Sequence, residues 1–174
     1  MTPPIALTLA AGLAFIVLAY FFTLLVRNQA VFVPLPHETI DRMLRMAQVG
    51  PDDLLFDLGS GDGRVVIAAA KEYGSRAVGI EKSKILTWLS ERAVRKNGVE
   101  SRVRIVNADF FAQDLSEATI VTTYLSRKTN LRLEPKLRRE LKEGTRIVSA
   151  DHIFKFPEKA KTKTGHFWTH LYIK

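Results

Sequence analysis

The apolar positions of this 174-residue chain fall into two regimes. The first is one unbroken block, Ile5 to Val26, without a charged side chain. As a helix these 22 residues would rise about 33 Å, enough for a hydrocarbon core of about 30 Å. Met1-Thr2-Pro3-Pro4 lacks the cations of a secretory leader, and the block exceeds the roughly 7–15 apolar residues of one. An uncleaved transmembrane helix is therefore predicted. Its first following cations are Arg27, Arg42 and Arg45, so the N-terminus is expected outside and the remainder in the cytoplasm.

The second regime is short and periodic. After Pro34-Leu35-Pro36, apolar residues recur at Ile40, Met43, Leu44 and Ala47, the spacing of an amphipathic helix ending near Gly50. Leu54 to Leu58 reads as a buried strand, Gly59 to Gly63 as a loop, and Arg64 to Tyr73 as a helix. Ala77 to Ile80 is a second strand. Ser83 then caps a helix with Ile85, Leu86, Leu89 and Ala93 on its apolar face, stopped at Asn97-Gly98. Val103 to Val106, Thr119 to Leu125 and Arg146 to Val148 are further strands. Pro135 is placed in the first turn of a helix carrying Leu137 and Leu141. Lys159 to Thr164 reads as a lysine-rich loop, and His166 to Ile173 alternates as a final antiparallel strand. Strands alternating with helices predict an α/β fold, a Rossmann-like, mostly parallel sheet with helices on both faces. The organisation read from this is a transmembrane anchor over 1–27, a connecting segment and first helix over 28–50, and the main domain over 51–174.

Composition narrows the chemistry. With no cysteine, a disulfide scaffold, a thiolate metal site and a cysteine nucleophile are excluded. The net charge of +8 is unevenly spread: residues 1–125 hold 13 cations and 13 acids, whereas residues 126–174 hold 13 cations and 5 acids. A solvated surface accounts for this, as do anionic lipid, an acidic partner or nucleic acid. His166 and His170 would chelate a metal on a helix, but on a strand they stand about 13 Å apart, so no metal site is expected.

Three of the ten glycines fall within Asp57-Leu58-Gly59-Ser60-Gly61-Asp62-Gly63. A loop of this kind after a strand lets a ligand lie against backbone, and the following helix start favours an anionic group. It is not the dinucleotide fingerprint, because Arg64 stands where the third glycine would be. Asp57 would repel a pyrophosphate and attract an ammonium. Glu81, closing the second strand, suits two ribose hydroxyls. Asp109 suits an adenine amino group, and Phe110 can pack on the base. Phe111 reads as core. An amine, a ribose and an adenine together describe S-adenosyl-L-methionine.

The segment Asp57 to Gly63, with Glu81 and Asp109, resembles the class I S-adenosylmethionine-dependent methyltransferases. Val33-Pro34, Asp57 to Arg64, Ala77 to Glu81, Thr123 to Leu125, Pro135 to Leu137 and Glu140 to Ser149 resemble one subfamily. It contains the membrane-anchored protein lysine methyltransferases of adenine nucleotide translocase and of the c subunit of ATP synthase, with prokaryotic relatives. The resemblance spans about residues 31–151. It implies a seven-stranded fold and cofactor contacts from Asp57, Gly59, Gly61, Gly63, Glu81 and Asp109; Ser60 in the loop and Phe110 beside Asp109 complete the candidate cofactor-binding residues. It departs from the subfamily at Leu35, Lys82-Ser83, Ser126-Arg127-Lys128 and Ala150, and of these Lys82-Ser83 and Ala150 flank the expected substrate side.

The reaction expected is direct displacement at a sulfonium methyl by a neutral nucleophile held in line. The expected acceptor is a lysine of a membrane protein, which must first shed a proton. Tyr124, Asn130 and Asp151 could orient the amine, or serve as a structural tyrosine, a helix cap and a turn residue; no catalytic residue is assigned. The lipid bilayer is an expected partner. The fourth strand is not followed by Asn/Asp-Pro-Pro-aromatic, which argues against nucleic-acid bases. A small-molecule or lipid methyltransferase and a non-catalytic cofactor-binding scaffold remain as alternatives.

Overall fold

The structure is a computed structural model that describes residues 12–18, 20 and 32–174. Residues 12–18 are helical. Most of the expected anchor, Ile5 to Val26, lies outside the described residues, and among those described no helix is long and apolar enough to cross a membrane. Pro34–Lys174 is a compact unit in its own right and holds the whole sheet.

Seven strands form that sheet: β1 (Leu54–Leu58), β2 (Arg76–Glu81), β3 (Val103–Asn107), β4 (Ile120–Thr123), β5 (Arg146–Ala150), β6 (Glu158–Thr164) and β7 (Phe167–Ile173). Their order is β3-β2-β1-β4-β5-β7-β6. The first five are parallel, and β7 runs antiparallel to both β5 and β6. Four helices flank the sheet: α1 (His37–Met46), α2 (Arg64–Tyr73), α3 (Lys84–Asn97) and α4 (Arg127–Glu140). One face buries Ile40, Met43 and Leu44 of α1 and Val65, Val66 and Ala69 of α2 against Leu55, Ile120 and Val148. The other buries Leu133 and Leu137 of α4 with Phe154, Phe156 and Tyr172 against Phe56, Val121 and Ile147. Strands covered on both faces read as short, mostly apolar runs, as in β1, β2, β4 and β5, whereas edge strand β3 alternates, with Arg104 exposed between Val103 and Ile105.

Four local expectations are corrected. The helix with Pro135 starts eight residues before the proline, at Arg127, where the Ser126 hydroxyl accepts from Thr129 N–H at 3.2 Å. Pro135 sits inside α4, where its missing N–H frees the carbonyl of exposed Leu131 to water. Lys159 to Thr164 is not a loop but most of edge strand β6, whose lysines alternate outward on one side. His166 lies in the turn before β7, while His170 is buried and contacts Glu158; among the described residues no three His, Cys, Asp or Glu are grouped to hold a metal.

The fourth correction concerns α3. Its buried residues are Thr87, Ser90 and Val94, whereas Ile85 and Leu89 are exposed. The cause is close packing on the glycine loop: a Cβ on Gly63 would lie 2.1 Å from Ser90 Oγ. At position 90 a side chain larger than serine would press on that backbone.

Between β5 and β6 the chain crosses in seven residues, 151–157, rather than through a helix. Phe154 and Phe156 fill the space below the sheet, and Phe154 N–H donates to the Tyr172 hydroxyl at 3.2 Å.

Candidate active site

The site is built at the carboxyl ends of β1, β2 and β4, where strands neighbouring β1 lead to opposite sides of the sheet. The loop leaves β1 with Gly59, Gly61 and Gly63 all in the left-handed region, at φ +80°, +57° and +81°. Gly59 and Ser60 donate their N–H groups to the Ile80 carbonyl at 2.9 and 3.1 Å, which pins the loop to β2. A Cβ on Gly59 would stand 2.9 Å from Leu125 Cδ2, a flexible side-chain end just past β4, so it is the backbone angle of +80° that calls for glycine here. The Ser60 hydroxyl is buried over Gly79 and has no hydrogen-bond partner among the described residues.

Two of the expected carboxylates stand directly at this loop. Asp57 is buried at 5 % exposure and accepts from the Thr122 hydroxyl at 2.8 Å, its registered neighbour on β4. Burial pushes its pKa up to about 7; the Thr122 bond opposes this, while the charges of Glu81 and Asp62 add to it. A buried carboxyl of this kind, with no cation beside it, fits an incoming ammonium. Glu81 is half-buried and accepts one N–H on each oxygen, Gly61 at 3.0 Å and Ser83 at 2.7 Å. A carboxylate has about four acceptor positions, so two remain for a ligand's hydroxyls.

Asp109 sits past β3 and caps a single 3₁₀ turn, Phe110–Ala112, by accepting from Phe111 N–H at 3.0 Å. That bond, with Lys82 3.3 Å away, holds its carboxyl below the usual range. Phe110 is half-buried, its ring 4.7 Å from that of Phe111, which lies under the Arg132 guanidinium at 4.2 Å. The structure thus brings Asp57, Gly59, Ser60, Gly61, Gly63 and Glu81 into one connected network, with Asp109 joined to it through Lys82, the neighbour of Glu81.

The residues considered for the acceptor separate. Asn130 is fully buried inside α4, donating to Ser149 Oγ at 3.1 Å and the His152 carbonyl at 2.7 Å; it is a structural tie, not a cap. Asp151, at φ +58°, both donates to and accepts from the backbone of Trp168, at 2.7 and 2.8 Å, extending the β5–β7 ladder. Tyr124 is half-buried, edge-on to Phe167 at 6.0 Å, and burial followed by the Asp151 charge raises its pKa.

Of three further contributors only Thr122 lies outside every motif, and it becomes visible once β4 is registered beside β1. Leu125 and Arg64 fall within the matched segments, but the pattern gives neither a role. Arg64 grips Asp62 with two nitrogens and donates to the Leu35 carbonyl at 2.7 Å, fastening the segment before α1 to the glycine loop.

The strand order, the glycine loop and the acids at the strand ends define a class I methyltransferase, with S-adenosyl-L-methionine as its cofactor. Comparison with known proteins agrees: the model of the ANTKMT methyltransferase domain matches residues 57–163. The chain belongs to this ANTKMT methyltransferase family. It is similar to a protein-lysine N-methyltransferase of Saccharolobus islandicus, 46% identical over 119 residues, covering 68% of this chain and 74% of that protein. It is also similar to the human lysine N-methyltransferase of the ATP synthase C subunit, 35% identical over 126 residues, covering 72% of this chain and 52% of that one. The chain thus spans about half the length of the human relative. Among solved structures, one described as an RNA methyltransferase from Salinibacter ruber with S-adenosyl-L-homocysteine aligns at TM-score 0.80 and 38% identity. It covers 81% of this chain and 93% of its own.

Proposed function

We propose that this protein transfers the methyl group of S-adenosyl-L-methionine to the ε-amino nitrogen of a lysine in a membrane protein. One observation carries the cofactor half: the buried Asp57, with no cation beside it among the described residues, next to a loop whose three glycines all take left-handed backbone angles. In this reading Asp57 receives the cofactor's ammonium and Glu81 its ribose hydroxyls. Asp109 and Phe110 receive the adenine, and the backbone of Gly59, Ser60, Gly61 and Gly63 forms the cradle between them. The bound cofactor supplies an electrophilic sulfonium methyl. What the protein must add is position and exclusion of water around a neutral amine. Tyr124, at the end of β4, is the side chain placed to line the amine's approach.

The lysine half draws on the relatives named for lysine methylation. The membrane half draws on the ATP synthase component that names the human relative and on Ile5 to Val26, which we infer anchors the domain as a single span. The Salinibacter ruber protein makes RNA the competing acceptor. The deciding experiment incubates full-length protein and labelled cofactor with membrane fractions and with total RNA, then maps the label by mass spectrometry. Methyl-lysine in a membrane protein is the expected product. Label in RNA alone would overturn the acceptor, and label nowhere, with no cofactor binding by calorimetry, would overturn the enzyme reading.

A further inference from the structure

Helix α3 leaves part of its apolar sequence on the surface: Leu86 and Ala93 of the expected apolar face are half-buried, whereas Ile85 and Leu89 are exposed. Thr87, Ser90 and Val94 face the protein, while Ile85, Trp88 and Leu89 are 73%, 53% and 40% exposed. At spacings of three and four these side chains form one outward stripe. Lys82, Lys84, Arg92, Arg95 and Lys96 are exposed on or beside the same helix. The Arg92 guanidinium lies 5.8 Å over the Trp88 ring. Of the nearby acids, Glu81 and Glu91 are only half-exposed, Asp109 contacts Lys82, and Glu100 lies beyond the helix end. The outer face therefore combines a tryptophan and two aliphatic side chains with a cationic surround.

On α4 the cations are less available: Lys136 is buried against Glu140 at 2.6 Å, Arg138 pairs with Glu134 at 2.7 Å and Arg139 with Glu140 at 2.9 Å. Arg127, Lys128 and Arg132 are exposed there, but Leu131 is the one large apolar side chain exposed on that helix, which carries no aromatic anchor.

We propose that the outer face of α3 docks on an anionic lipid surface. Ile85, Trp88 and Leu89 enter the interface, and Lys84, Arg92, Arg95 and Lys96 meet the headgroups. Apolar and aromatic side chains bounded by lysine and arginine are the composition with which a helix lies in a membrane interface. Tryptophan favours that depth. Each cation near such a surface strengthens association about fivefold. Ser83 and Lys84 begin the helix immediately after Glu81, so docking would bring the cofactor end of the cleft towards the bilayer. The proposal goes beyond the methyl transfer and does not depend on it.

Trp88 and Trp168 are the only tryptophans, so each can be read alone in full-length protein. Trp168→Phe and Trp88→Phe proteins are reconstituted into neutral phosphatidylcholine vesicles and into vesicles with phosphatidylglycerol, each with and without brominated acyl chains. The protein retaining Trp88 should be blue-shifted and quenched about twofold by brominated anionic vesicles, while the one retaining Trp168 stays unquenched. Lys84→Gln, Arg92→Gln and Arg95→Gln together should abolish that quenching, with cofactor affinity unchanged as the check on folding. Trp88 quenched equally in neutral vesicles, or not at all, overturns the proposal. A disulfide-linked dimer through Leu89→Cys, a unique thiol in this chain, would replace lipid with a second copy.

Discussion

Asp57 gives the sharpest test of how the site works, because its proton and the cofactor's ammonium compete for one buried carboxylate. Burial holds its pKa near 7, with Glu81 and Asp62 adding to the shift and Thr122 opposing it. An ammonium pairs only with the ionised form. Below pH 7 binding must therefore expel a proton, and apparent affinity should fall tenfold per pH unit, roughly tenfold at pH 6 relative to the plateau. Above about pH 8 an α-amino group loses its own charge, so affinity should fall again. The expected profile is a narrow optimum between the two values. Calorimetry across pH 5.5–9, in buffers of differing ionisation heat, reads both affinity and protons released. Asp57→Asn should flatten the acid limb and weaken binding by about 1.5–3 kcal/mol at the optimum. 5′-Methylthioadenosine, which lacks the ammonium, should show no acid limb with either protein. The cofactor-free protein supplies an independent check. A folded-state pKa raised above the unfolded 3.8 means the folded state holds the proton more tightly. Stability relative to Asp57→Asn should thus fall between about pH 4 and pH 7, by at most about 4 kcal/mol. A wild-type affinity that is flat from pH 5.5 to 7.5 would refute the pairing of Asp57 with the ammonium.

Glu81→Ala removes the acceptor of Gly61 and Ser83 N–H and the proposed ribose contact, so cofactor affinity measured by calorimetry should drop at least about tenfold while the domain stays folded. Gly63→Ala meets both an unfavourable φ of +81° and a contact of 2.1 Å with Ser90 Oγ, and should cost about 2–4 kcal/mol in denaturant unfolding. Ser90→Gly in that background should return only the steric share. Arg146→Ala leaves Asp53 without its cation and the Ala47 and Gln48 carbonyls without their donor, at 2.7 and 3.0 Å. A loss of about 3 kcal/mol is expected, and less than 1 kcal/mol would show that the pair is dispensable.

Much of the framework was readable because burial on two faces leaves an unmistakable trace. Leu54 to Leu58, apart from Asp57, and Ile147-Val148 are apolar on both sides of the strand, and glycines mark where the chain turns. Edge strand β6 left no such trace. Lys159, Lys161 and Lys163 alternate with small residues, so nothing in the pattern is apolar, and only pairing with β7 shows the alternation to be a strand. The start of α4 was hidden by Pro135, which a helix tolerates where the carbonyl it frees is exposed. The site and α3 share one cause with opposite effects on legibility. Glycine at 63 signals that something approaches the backbone closely, and what approaches is Ser90 of α3. That approach keeps position 90 small and sets which side of α3 faces the protein, so Thr87, Ser90 and Val94 are buried and Ile85, Trp88 and Leu89 are exposed. Helical periodicity reports how apolar residues are spaced but not which face a neighbour can accommodate. The glycine that makes the binding loop recognisable is therefore also the reason that Ile85, Trp88 and Leu89 remain on the surface, available to a partner outside the fold.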